Sequence, residues 1–165
     1  MTLRRRPKLN SRGVVFCAVI AVLAVSCAVF FAVRGGGRVL RIKDADSGRV
    51  YGSWPLEESG EFAVEFIHSV NQSPVRDIFT VKDRLIQPRA VRFYAFGAGV
   101  LSDLDEGQTL TRDGDAMIIS GFTATFRELN YIVGTVSDHL LYINGEVVSL
   151  RDLCGRNAHI TIEIK

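Results

Sequence analysis

The sequence predicts a mainly β protein: an antiparallel β-sandwich or barrel of about eight to ten short strands, preceded by one N-terminal transmembrane helix. Three observations predict it. An uncharged apolar run of 21 residues lies near the N-terminus, period-two alternation fills most of the remainder, and Gly, Asn and Asp clusters punctuate the alternating stretches.

The apolar run is Gly13–Val33, GVVFCAVIAVLAVSCAVFFAV. At a rise of about 1.5 Å per residue it spans roughly 30 Å, the hydrocarbon thickness of a bilayer. Arg4, Arg5, Arg6, Lys8 and Arg12 precede it, which by the positive-inside tendency places residues 1–12 in the cytoplasm as a basic tail. Arg34, Arg38, Arg41 and Lys43 follow and weaken that asymmetry. The expected location is therefore the cell membrane, single-pass, with the C-terminal domain periplasmic or extracellular. Two other readings use Ala24-Val25-Ser26 before Cys27, as a signal-peptide cleavage site or a lipoprotein box. Both leave the apolar stretch Val29–Val33 exposed after cleavage, so an uncut anchor over 13–33 is the reading adopted.

Residues 34–38, Arg-Gly-Gly-Gly-Arg, form a short Gly-rich linker, and 39–165 form the β-rich domain. Six of the 20 Lys and Arg lie before Gly35, leaving fourteen against all 18 acidic residues, a net of −4 for the remainder. That balance argues against a nucleic-acid partner, whose affinity comes from phosphate neutralisation. Cys17 and Cys27 fall in the anchor, so Cys154 is the domain's only thiol and reads as a small buried hydrophobe.

Within the domain, Val39–Lys43 and Arg49–Trp54 read as a hairpin, and Glu61–His68 alternates with Phe62, Val64 and Phe66 on one face. Val75–Val81, Val91–Phe96, Met117–Ile119 and Thr123–Arg127 are further predicted strands, with Ser102–Asp113 a long acidic loop. Asn144-Gly145 between Leu140–Ile143 and Glu146–Leu150 is the strongest hairpin signal in the chain. Ser149–Gly155 suits one helical turn, and His159–Lys165 is a strand with its three Ile on one face.

The densest set of polar groups is Phe66–Asp77, which joins two strands with a His, two Ser, two amides and an Arg-Asp pair. His68 beside Ser69 invites a nucleophile reading, but adjacent strand residues point to opposite faces, which leaves Ser73 as the alternative partner across the turn. No Gly-x-Ser-x-Gly elbow is present. The bland reading has His68 and Asn71 bonding their own loop; the functional one makes the loop a ligand or partner contact. Gly97 and Gly99 follow an aromatic strand without the third glycine or βαβ context of a dinucleotide site. Candidate contacts for a ligand or partner are thus His68, Ser69, Asn71, Ser73, Arg76, Gly97 and Gly99. His68, His139 and His159 are scattered, and Asp103, Asp105 and Glu106 lack the spacing of a calcium loop, so neither metal nor cofactor is expected.

His-Ser-Val followed by a turn and Pro-Val (Phe66–Val75), then Arg92-Phe93-Tyr94-Ala95-Phe96-Gly97-Ala98-Gly99, resembles the family called domain of unknown function 1850. The resemblance covers roughly Leu40–Lys165. Members commonly carry an acidic residue directly after His-Ser-Val; here it is Asn71. The resemblance implies one membrane segment before a small β-domain, encoded beside TAXI-type tripartite ATP-independent periplasmic (TRAP) transporters. It implies no catalytic or binding residues. The expected function is a non-enzymatic, membrane-anchored accessory or interaction module, with the membrane and a multi-helix TRAP-type subunit as partners. The alternatives are an envelope ligand-binding or structural domain and, third, a hydrolase using His68 with Ser69 or Ser73. One helix cannot line a transport path by itself.

Overall fold

The structure, a computed structural model, describes residues 37–95 and 104–165. The predicted tail and anchor, with Gly97 and Gly99, lie outside the described residues. Among the described residues no helix is long and apolar enough to cross a membrane.

Alternation becomes two antiparallel sheets because each alternating stretch has one apolar face to bury. The smaller sheet has the order β2-β1-β11-β8, from β1 (Val39–Asp44), β2 (Val50–Pro55), β8 (Glu128–Ile132) and β11 (His159–Ile164). The larger has the order β10-β9-β3-β4-β5-β7-β6. Its strands are β3 (Glu61–Ile67), β4 (Pro74–Lys82), β5 (Leu85–Phe93), β6 (Thr109–Asp113), β7 (Ala116–Ser120), β9 (His139–Ile143) and β10 (Glu146–Ser149). Leu40, Ile42, Ile160, Ile162 and Ile164 of the small sheet share one buried cluster with Phe62, Val64, Phe79, Val81, Ile86, Leu141 and Ile143 of the large one. Phe62 and Phe79 are cross-strand partners with rings stacked at 5.1 Å. Val75, Phe93 and Ile119 form a second cluster under β4, β5 and β7.

The Asn144-Gly145 hairpin forms as read: φ is 51° and 77°, the paired positive values that a tight two-residue turn requires. A short helix α1 (Leu150–Cys154) follows, its N-terminus capped by Ser149, whose Oγ accepts from the Asp152 N–H at 3.0 Å.

Four expectations need correction. The described residues hold eleven strands rather than eight to ten. β5 begins at Leu85, because Asp83 and Arg84 both take positive φ (50° and 63°) and close a two-residue hairpin with β4. Pro88, which has no N–H for the ladder, is tolerated because the register shifts there: Ile78 pairs with Ala90 and Phe79 with Pro88. Thr109–Asp113 is not loop but edge strand β6, exposed along its length and paired with β7 through a turn at Gly114 (φ 62°). Finally, Thr123–Arg127 is not a strand. Only Phe126 bridges, to Ile86, and the strand β8 starts at Glu128, where Leu129 and Tyr131 turn toward the core.

The chain enters at Arg38, whose guanidinium donates to the Val81 carbonyl and, at 2.9 Å, to that of Glu58. These contacts put the start of β3 and the end of β4 at the entry end. The opposite end then carries the β3–β4 loop 68–73 and the β8–β9 loop 133–138.

Candidate functional site

Three places concentrate polar chemistry, and the strand ladders position each. The first is the loop after β3. His68 N–H donates to the Ser73 carbonyl and Gln72 N–H to that of His68, both at 2.9 Å, so the loop is closed on itself with Gln72 at φ 50°. His68 Nδ1 accepts from the Val70 and Asn71 amides at 3.3 and 3.4 Å, which leaves its proton on Nε2. Asn71 Nδ2 donates to the Ala95 carbonyl at 3.2 Å and ties the loop to the bend that follows β5. Ser137 Oγ donates to the Ile67 carbonyl at 3.3 Å and brings in the β8–β9 loop. Ser69 is exposed, and Ser73 Oγ is buried with no hydrogen-bond partner among the described residues. Ile67, Val70, Ile132 and Val136 stand exposed at this same end.

The second place lies between the sheets. Arg76 and Asp77 do not form the pair that their adjacency suggested. As neighbours on β4 they take opposite faces, and Asp77 joins the inward row with Val75. Tyr131 of the other sheet donates its hydroxyl to Asp77 Oδ2 at 3.1 Å. Burial raises the Asp77 pKa, opposed by the Tyr131 bond; burial and then the Asp77 charge raise that of Tyr131. His139 stacks on Phe66 at 5.2 Å and meets the Tyr131 ring edge-on at 6.1 Å. Its Nδ1 accepts from the Gly134 N–H at 3.1 Å. Burial lowers its pKa against the opposing charge of Asp138. The sequence did carry a signal for this cluster: an acid in phase with inward Val75.

The third place is the outer face of the large sheet. Arg76 donates from Nε to Glu65 Oε2 at 2.8 Å, and Tyr142 donates its hydroxyl to Glu65 Oε1 at 3.1 Å. The Arg76 guanidinium lies 4.0 Å over the Tyr142 ring. Arg92 is the cross-strand partner of Arg76; it reaches Asp113 Oδ2 at 3.2 Å and sits 5.8 Å from the Tyr94 ring centre. A notch of about 100 Å³ opens between them, lined by Glu65, Pro74, Arg76, Arg92 and Tyr94. On its other side Arg76 borders a groove of about 390 Å³ that runs past Ala63, Ile78 and Tyr142 to the Asn144-Gly145 turn. Neither Arg92 nor the two tyrosines was among the sequence candidates, since they meet Arg76 only through strand register.

The structure thus brings His68, Ser69, Asn71 and Ser73 into one loop and sets Arg76 apart from them on the sheet face. Elsewhere, Cys154 is half-buried, and burial, then the charge of Asp44, pushes its thiol up to about 11, away from reactive thiolate. Among the described residues no group of three or more His, Cys, Asp or Glu is placed to hold a metal ion.

Together these features define a small antiparallel β-domain with a tied loop end and an arginine-lined sheet face. The chain belongs to the family described as Domain of unknown function (DUF1850), which it matches over residues 62–150. That span runs from β3 to the start of α1 and holds all three places. No curated protein and no solved structure matches the chain.

Proposed function

We propose that this protein is a non-enzymatic accessory module, anchored in the membrane by 13–33, which docks onto a multi-helix TRAP-type transporter subunit. The docking surface is the loop end formed by 67–73 and 133–138. The observation that carries the reading is the apolar exposure there: Val136 is 92% and Val70 66% exposed, beside Ile67 and Ile132. Side chains of this kind grouped at one end of a soluble domain mark an interaction surface. The His68 loop favours docking over a hydrolase, because Nδ1 accepts from two loop amides and Nε2, the nitrogen left to meet a hydroxyl, already carries the proton. The TAXI-type TRAP partner rests on the family resemblance.

The test is affinity purification of the full-length chain from native membranes, beside the double variant Val70→Asp, Val136→Asp. The parent should retain a multi-helix membrane protein, and the variant should lose it. The variant's melting should stay within about 0.5 kcal/mol of the parent, as for ordinary surface changes. A parent that retains no multi-helix protein, or a variant that retains it fully, refutes the reading.

A further inference from the structure

We propose that the notch between Arg76 and Arg92 on the outer face of the large sheet is a carboxylate-binding site, distinct from the docking end. The first argument is register. Arg76 and Arg92 are direct cross-strand partners on the same face. Such partners have Cβ atoms roughly 4.5–5.5 Å apart, and like charges placed so oppose each other. Each has one acid partner: Glu65 binds Arg76 and itself forms one wall of the notch, and Asp113 binds Arg92 from outside it. Across the face the charges therefore run minus, plus, plus, minus, with the two cations adjacent and a notch between them.

The second argument is preorganisation. The Tyr142 ring lies under the guanidinium of Arg76, and the Tyr94 ring flanks that of Arg92. Arg76 uses Nε on Glu65 and Arg92 uses Nη1 on Asp113, and each guanidinium has five donors in all. A planar anion held between two such groups makes paired charge-assisted hydrogen bonds of the kind guanidinium geometry favours.

Size and charge select the anion. The notch, about 100 Å³, holds a group the size of a carboxylate and little more. Glu65 and Asp113 already offset the two arginines, so a monoanion suits the site better than a dianion such as phosphate. Arg76 also borders the larger groove, which gives the body of the molecule a place to lie. The carboxylate belongs either to a small acid or to an acidic side chain of a protein, and the experiment separates these.

The experiment uses the full-length chain, labelled with nitrogen-15 and held in an uncharged maltoside detergent. The arginine Nε–H resonances are followed while sodium acetate, sodium chloride or sodium phosphate is added at matched ionic strength. Acetate should shift the Arg76 and Arg92 resonances saturably. Chloride and phosphate should not reproduce that response. Arg92→Gln should weaken acetate binding about tenfold or more, the loss expected for one charge-assisted pair. Arg92→Lys, which keeps the charge but not the planar fork, should recover only part of it. Arg84→Gln, at an exposed arginine on the β4–β5 turn, should bind as the parent does. A blocked aspartyl peptide that binds more tightly than acetate assigns the carboxylate to a protein; weaker binding assigns it to a small acid. The proposal is overturned by the absence of a saturable acetate shift, by equal shifts with chloride or phosphate, or by equal loss in Arg84→Gln. Because Val70 and Val136 take no part in the notch, the docking variant leaves this measurement unchanged.

Discussion

Removing the Tyr131 hydroxyl is the sharpest test of how the two sheets are held together. Tyr131→Phe deletes the donor to Asp77 Oδ2 and leaves an inward carboxylate without that partner. A hydrogen bond to a charged group contributes about 1.5–3 kcal/mol, and stranding the remaining partner puts the cost toward the middle of that range, about 2 kcal/mol. For a domain of roughly 130 residues, unfolding entropy near 2 cal/mol/K per residue turns this into a melting-temperature drop of about 7 °C. The cost falls on the ionised carboxylate, so it depends on pH. The Asp77 pKa is raised by burial above its ordinary 3.8. The stability tied to that shift is therefore fully present below 3.8 and is lost as pH rises through the raised value. The Tyr131→Phe deficit should accordingly be larger at pH 7 than at pH 4. Asp77→Asn keeps an acceptor for the hydroxyl and should cost less than Tyr131→Phe at pH 7. Replacing both partners, with Asp77→Leu and Tyr131→Phe, should recover part of the loss, because no polar group is then stranded. The assay is thermal unfolding of residues 37–165 by circular dichroism. Tyr131→Phe within about 0.5 kcal/mol of the parent at pH 7, or equally destabilised at both pH values, refutes the reasoning.

Two further outcomes concern the histidines. His139 has its pKa lowered by burial from 6.5, so its contribution is present above 6.5 and is lost as pH falls through the lowered value. Melting temperature should drop between pH 6.5 and 5 in the parent and drop less in His139→Phe, which keeps the aromatic stack on Phe66; parallel curves refute this. His68→Ala should destabilise the domain by about 1 kcal/mol, since Nδ1 receives two long amide hydrogen bonds in a half-exposed loop. Unchanged melting in that variant would mean that the imidazole does not hold the loop.

The parts of the fold that were legible are those where a single physical demand dominates a short window. Ile160, Ile162 and Ile164 are buried together because strand periodicity and the hydrophobic effect act on the same residues. Asn144 and Gly145 both tolerate positive φ, so their turn announces itself. β6 gave no such signal. An edge strand exposed on all five residues buries no face, and its polar sequence reads as loop. The first half of β5 was hidden by Pro88 and by Asp83-Arg84, an uncommon pair for two positive φ values, which the long cross-strand ladder with β4 holds in place.

The site was less legible than the fold, for a reason rooted in distance along the chain. The residues 68–73 form a local loop, so their grouping could be read directly from the order of residues. Asp77 and Tyr131 are 54 positions apart and meet across two sheets, a pairing that depends on how those sheets face each other. Arg76 and Arg92 meet only if the β4–β5 register shifts at Ile78/Phe79. Without that bulge Arg76 would sit one residue off, and by period-two alternation the arginine side chains would take opposite faces. Pro88 sits at this shift, where its missing N–H disrupts the ladder least. The residue that obscured the strand in the sequence therefore marks the irregularity that sets the two guanidiniums side by side.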